Sequence, residues 1–173
     1  MLFRSLARGL AGEVRLHLKA HPTLVSDATA ADARDTLAAL EAAADPALHH
    51  WGQRLQDYRY SGQLLLDDGF FWNAPLPLWA MPVALARELA RAELVVLKGD
   101  ANYRRLLGDR HWAFTSDWAH VAGYFPAPLL LLRTLKSEVA AGLAAATVAW
   151  VRQRDPDWLT DGQWGIIQFY NPL

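Results

Sequence analysis

The sequence predicts an α/β protein, a three-layer α/β/α arrangement around a mostly parallel sheet. Two observations carry this expectation. Short apolar runs of strand length, Leu94–Leu97 and Leu129–Leu132, alternate with stretches of helical periodicity. Each run also ends abruptly in polar side chains. Leu97 is followed by Lys98, Gly99, Asp100, Asn102 and Arg104, Leu132 by Arg133, Thr134 and Lys136, and Val25 by Ser26 and Asp27. Buried parallel strands deliver such groups to one edge of a sheet, where open α/β proteins hold their ligands.

Taken in order, residues 4–11 read as the tail of a helix that ends at Gly9 or Gly12. From Glu13 to Lys19, apolar Val14, Leu16 and Leu18 alternate with Arg15, His17 and Lys19, the period of a strand. Pro22 interrupts it, and Thr23–Val25 reads as a second short strand or extended segment. Thr29 and Asp32 form a capping-box pattern ahead of a helix with Ala33, Leu37, Leu40 and Ala44 on one side. Pro46 opens another helix whose face is Leu48, Trp51, Leu55 and Tyr58. Gln63–Leu66 is strand-like, and residues 67–82 read as an irregular loop holding Phe70, Phe71, Trp72 and Trp79. Pro82 starts a helix that runs to Glu93. Leu94–Leu97 is a strand, Asn102–Leu107 a short helix closed by Gly108, and Leu129–Leu132 and Gly165–Phe169 are further strands. With no linker or low-complexity tract, residues 1–173 are expected to form one domain.

Composition narrows the classes of function. The 173 residues are 53% hydrophobic with a net charge of -1, which gives no electrostatic basis for a nucleic-acid partner. Absence of cysteine excludes disulfides, Cys-zinc sites and thiol catalysis, and fits a cytoplasmic protein. No apolar run reaches the ~18–20 residues of a membrane helix, so no membrane partner is expected. Arg4 and Arg8 lie among apolar residues near the start, but no apolar segment with a cleavage site follows, so no targeting segment is expected. The eight tryptophans follow no period and are expected to pack core and lid.

If the strand ends share one edge, Asp27, Asp100, Asn102, Arg104, Arg133 and Lys136 converge there. Carboxylate and amide oxygens suit a hard divalent cation. Arginine, lysine and the free N–H groups of a helix start suit phosphate oxygens. Such a set describes hydrolysis or transfer of a phosphate ester, with a metal activating water. Plainer roles fit the same residues: Asp27 as a helix cap, Asp100 and Asn102 as caps of the short helix, Arg133 and Lys136 as a charge pair at a strand end. His49 and His50 read as solvated, and no Walker A, His-Glu-x-x-His, Gly-x-Ser-x-Gly or Gly-x-Gly-x-x-Gly pattern is present.

Several motifs, in one order, resemble the damage-control phosphatases (domain of unknown function eighty-nine). Lys98-Gly99-Asp100-Ala101-Asn102-Tyr103-Arg104 is similar to that family's Lys-Gly-Asp-x-Asn-Tyr-Arg signature. Arg133-Thr134-Leu135-Lys136 resembles the Arg-Thr-x-Lys motif of its carbohydrate-phosphatase subgroup, and Val25-Ser26-Asp27-Ala28-Thr29 its Val-Ser-Asp-x-Thr segment. Gly162–Phe169 is similar to its closing strand, so the matches run from about Glu13 to Phe169. The resemblance implies a metal-dependent phosphatase acting on sugar phosphates such as fructose phosphates, with manganese, cobalt, nickel or magnesium as cofactor and a small phosphate ester as partner. By position, it makes Asp27 the metal ligand and, with Lys136, a catalytic group. Asp100, Ala101, Asn102, Tyr103 and Arg104 would line the substrate site, Lys136 would grip the phosphate, and Arg133 and Thr134 would shape its loop.

The chain departs from the family in one respect. The family's Asp-Asn pair, in an Asp-Asn-Ala-Gly segment upstream of the first strand, has no counterpart in residues 1–12, and Asp-Asn occurs nowhere. The chain therefore resembles the C-terminal portion of a longer enzyme, truncated at the N-terminus, with its phosphate-gripping half intact and its metal-holding half incomplete. The alternatives are a non-catalytic sugar-phosphate-binding remnant and a protein-glutamate carboxyl methyltransferase, an activity described for one relative.

Overall fold

A computed structural model describes residues 2–25 and 27–172; Ser26 of the Val25–Asp27 motif lies outside the described residues. The chain divides into two compact units, residues 1–74 and 75–173. Both are α/β, as the sequence predicts, and the strand pairings are mostly parallel, consistent with an α/β/α fold. Among the described residues no helix is long and apolar enough to cross a membrane.

The first unit is built on two parallel strands, β1 (Val14–Lys19) and β2 (Leu64–Gly69), with Val14 opposite Leu64 and His17 opposite Asp67. Helix α1 (Leu2–Ala7) precedes β1, and α2 (Ala30–Glu41) and α3 (Pro46–Tyr60) form the crossover to β2. The Thr29–Asp32 capping box is formed: the Thr29 hydroxyl accepts the Asp32 N–H and the Asp32 carboxylate accepts the Thr29 N–H. Asp45 caps α3 ahead of Pro46, its carboxylate accepting the Ala47 and Leu48 N–H groups. Leu6, Val14, Leu37, Leu55 and Leu64 make the core, and Leu16 and Tyr58 pack against it. Leu48, expected on the inner face of α3, is 47% exposed. At Gly52 the two helices meet backbone to backbone, because a Cβ there would lie 2.3 Å from the Glu41 nitrogen.

Thr23–Val25 is not a strand. Its chain bends and turns, with Leu24 and Val25 exposed, because its N–H groups are taken by a side chain instead of a ladder. Nor are residues 67–82 structureless. β2 continues through Asp67 and Asp68, where Arg15 of β1 holds the Asp67 carboxylate at 2.6 Å. Helix α4 (Phe70–Asn73) follows, and Leu78–Ala80 make a 3₁₀ turn.

The second unit centres on three strands in the order β3 (Val95–Lys98), β4 (Leu129–Thr134), β5 (Gly165–Tyr170). β3 and β4 are parallel, whereas β5 runs antiparallel along the edge of β4. An edge strand of this kind alternates between core and water, and Ile166 is buried while Ile167 and Phe169 are exposed. Helix α5 (Val83–Leu89) starts just after Pro82 and stops earlier than its apolar pattern suggests. Helix α6 (Asp100–Leu107) begins two residues before the expected start and closes at left-handed Gly108. Helices α7 (Trp118–Ala122) and α8 (Ala145–Arg154) complete the unit. Tyr103, Leu106, Leu107, Phe125, Leu129 and Leu131 are almost fully enclosed.

Gly52→Ala is expected to destabilise the chain by about 2 kcal/mol, since the added methyl meets backbone that cannot rotate away. Urea unfolding followed by circular dichroism measures it.

Candidate functional site

β3 passes into α6 through Gly99, whose φ of 102° and ψ of 161° are open to glycine alone. That pivot makes Asp100 the first residue of the helix. Asn102 donates its side-chain amide to the Lys98 carbonyl at 3.0 Å, closing the turn. The N–H groups of the first helical turn point away from the helix body and have no partner within it. Gly99 N–H bonds the Leu132 carbonyl at 2.8 Å, so this helix start lies beside the end of β4.

Arg133, at that end, is the one buried charged side chain among the described residues. Its Nε donates to Asp100 Oδ1 at 2.7 Å, its Nη1 to the Val139 carbonyl, and its Nη2 to the carbonyl and hydroxyl of Ser137 at 2.9 and 2.7 Å. The Ser137 hydroxyl donates onward to Asp100 Oδ1 at 3.1 Å. The guanidinium also lies over the Tyr103 ring, 4.4 Å from its centroid. Arg133 therefore uses its donors inside the fold and ties the 135–139 loop to the first turn of α6. Asp100 is a latch, with 20% of its side chain exposed, rather than a helix cap.

Tyr103 faces inward from α6. Its hydroxyl donates to Gln168 Oε1 at 3.1 Å and accepts the Ala141 N–H at 3.2 Å. Burial pushes its phenol above the ordinary value, against the lowering effect of the Ala141 N–H and Arg133, so it stays protonated. Ala101, Thr134 and Lys136 are exposed. Lys136 directly precedes Ser137 and makes no ion pair or hydrogen bond among the described residues, while its stem packs near Gly162. Arg104 turns to the other end of α6 and grips Asp109 through two bonds of 2.7 and 2.6 Å. That hydrogen-bonded guanidinium holds the Asp109 carboxyl below the usual range.

Asp27 belongs to the first unit, and its geometry is local to the chain between β1 and α2. Its Oδ2 accepts the N–H groups of Thr23 and Leu24 at 3.1 and 2.9 Å. Its Oδ1 faces the Lys19 ammonium at 3.8 Å, and its side chain is 10% exposed. Burial works to raise its pKa, but the Leu24 and Thr23 N–H groups and Lys19 together outweigh it, leaving the carboxyl below its ordinary value. Lys19 and Ser137 were not legible as partners from the sequence, because one sits on a strand face and the other follows a motif without belonging to it.

A hard divalent ion suits Asp27 in kind: Oδ1 is an anionic oxygen that accepts no backbone N–H. In number the site is short. Within residues 2–74 no two further His, Asp or Glu side chains among those described gather with Asp27 into a three-ligand cluster. Asp27 would hold one coordination position and would polarise nothing by itself.

Residues 1–150 match the family model of the damage-control phosphatase ARMT1-like domain. The chain belongs to that family. It is 38% identical over 168 residues to the damage-control phosphatase ARMT1 of Mus musculus, covering 95% of this chain and 38% of that protein. The Rattus norvegicus protein of the same name is 37% identical over 172 residues (97% and 39%), and the Homo sapiens protein 34% over 172 residues (97% and 39%). The chain thus spans about two fifths of the length of the curated relatives it matches. In this ARMT1-like chain, the Lys98–Arg104 and Arg133–Lys136 motifs meet through one buried ion pair.

Removing Asp100 strands a buried guanidinium, so Asp100→Ala is expected to cost about 3 kcal/mol, and Arg133→Met, which leaves a partly exposed carboxylate, less. Chemical denaturation of both variants checks the order. Asp27 has a depressed pKa when folded, so its stabilisation is complete above the unfolded carboxyl value of about 3.9 and fades as pH falls through the folded one. The stability gap between wild type and Asp27→Asn should therefore shrink on acidification below that value, as thermal melts at stepped pH will show.

Proposed function

We propose that this chain binds small sugar phosphates at the first turn of α6 and belongs to a metal-dependent phosphatase that hydrolyses them. The single observation that carries this is the Arg133–Asp100–Ser137 network, which holds the loop of exposed Lys136 against the free N–H groups of a helix start. Backbone N–H groups, the positive end of the helix and a mobile ammonium are the donors a phosphate dianion selects. Lys136 would grip the phosphate, with the Ala101 and Asn102 backbone beneath it and Thr134 at its rim. Arg133 and Tyr103 would act from below, by fixing the cradle. Arg104, paired with Asp109, would border the site by its stem. Fructose 1-phosphate is the substrate class that the family's subgroup motif favours.

Asp27 would be one oxygen ligand of a manganese, cobalt, nickel or magnesium ion. Such an ion would supply water activation and charge neutralisation when bound, and it needs oxygen donors besides Asp27. A non-catalytic sugar-phosphate binder is the second reading, favoured by a carboxylate that faces the Lys19 ammonium and joins no three-ligand cluster among the described residues.

Phosphate release from fructose 1-phosphate with manganese or cobalt present tests the reading directly. Turnover that depends on the metal supports it. Stabilisation by the sugar phosphate that is indifferent to metal, with no turnover, supports the binder instead. Lys136→Ala is expected to abolish phosphate-ligand binding by calorimetry while leaving the melting temperature within about 1 °C, because surface substitutions move stability little. Unchanged affinity would remove Lys136 from the site.

A further inference from the structure

β5 ends the β3–β4–β5 sheet, and among the described residues no strand pairs with its far side. Natural sheets protect such an edge with a charge, a proline or a bulge. Gly165–Tyr170 has none of the three: its residues are uncharged, none is proline, and they match β4 one for one. The ladder fixes which backbone groups look outward. Leu135 N–H bonds the Trp164 carbonyl, so the alternation of an antiparallel pair directs Ile166, Gln168 and Tyr170 to β4. The N–H and C=O groups of Gly165, Ile167 and Phe169 therefore point away from the sheet. The same three residues are exposed, Ile167 by 78% and Phe169 by 62%.

We infer that β5 is an interface between two copies of this chain, which pair their β5 strands antiparallel about a two-fold axis at Ile167. A two-fold axis across the edge reverses strand direction, so a strand that meets its own copy there is antiparallel. Centring the pair on Ile167 engages all three outward residues, whereas centring it on Gly165 or Phe169 leaves outward groups unbonded. Ile167 then faces Ile167 of the other copy, and Phe169 faces Gly165 twice by symmetry. Each glycine gains an aromatic cover, a favoured cross-strand pair, and no charge meets its like. β5 has one free side, so the contact closes at two copies. Two paired strands of six residues bury less than the roughly 1,200 Å² of a standard interface, so the dimer is weak, with a micromolar dissociation constant.

The test uses the full chain, which has no cysteine of its own to confuse cross-linking. Sedimentation velocity over a dilution series up to about 300 μM is expected to show monomer and dimer in a ratio that follows concentration. Ile167→Lys sets two ammonium groups face to face on the axis. It is expected to raise the dissociation constant roughly tenfold or more, with the circular-dichroism spectrum unchanged. Ile167→Cys reads the register. Bonded partners lie about 5.5 Å apart between Cα atoms, inside the disulfide range. Mild oxidation is therefore expected to link that variant roughly tenfold faster than Phe169→Cys, whose two copies stand about 14 Å apart. The oxidation comparison decides alone if the lysine variant fails to fold. A chain that stays monomeric throughout the series overturns the inference. So does a dimer indifferent to Ile167→Lys, equal linking of the two cysteine variants, or growth beyond two copies.

Discussion

An arginine taken out of water must find an acceptor for its donors or it destabilises everything near it. Arg133 meets that demand with one carboxylate, two carbonyls and a hydroxyl, drawn from the start of α6 and from Ser137 and Val139. The 135–139 loop has no ladder beyond Leu135, whose N–H bonds the Trp164 carbonyl. The first turn of α6 has Asp100 as its sole acidic group. Joining them through the guanidinium converts two strand ends into one rigid rim. Tyr103 beneath supplies both an aromatic face for the cation and a hydroxyl for the Ala141 backbone.

Where local chemistry decides the backbone, the sequence was legible. The Thr29–Asp32 box and Pro46 at a helix start stand where pattern puts them, and the runs at 94–97 and 129–132 become strands shifted or extended by one or two residues. Legibility failed where a distant or neighbouring side chain competes with the ladder. Thr23–Val25 has strand-like composition, yet Asp27 claims its N–H groups. Asp67 and Asp68 look like turn residues, yet Arg15 across the sheet keeps the first of them in β2. Antiparallel β5 lay beyond reach because direction is set by packing, not by its own residues.

The candidate site shows the same division. Spacing pointed to Asp100, Arg133 and Lys136 as strand-end groups, and left open whether each caps, pairs or binds. The fold distributes those roles: Asp100 and Arg133 pair with each other, whereas Lys136 stays exposed. Adjacent residues of one motif thus differ in burial because β-strand alternation turns Arg133 and Leu135 inward and Thr134 and Lys136 outward. Asn73 carried no signal at all. Its bonds to the Ala20 N–H and the His21 carbonyl follow from where a four-residue helix stops, which no window of neighbours encodes.

Gly99 adds a constraint on how this rim can diversify. Its Cβ position is sterically open, so volume does not forbid a larger residue there; backbone conformation does. Substitutions at the exposed Ala101 and Thr134 leave that backbone untouched. A chain that loses the hinge glycine has to swing the start of α6 away from the loop it faces, and with it the ionic tether that both share.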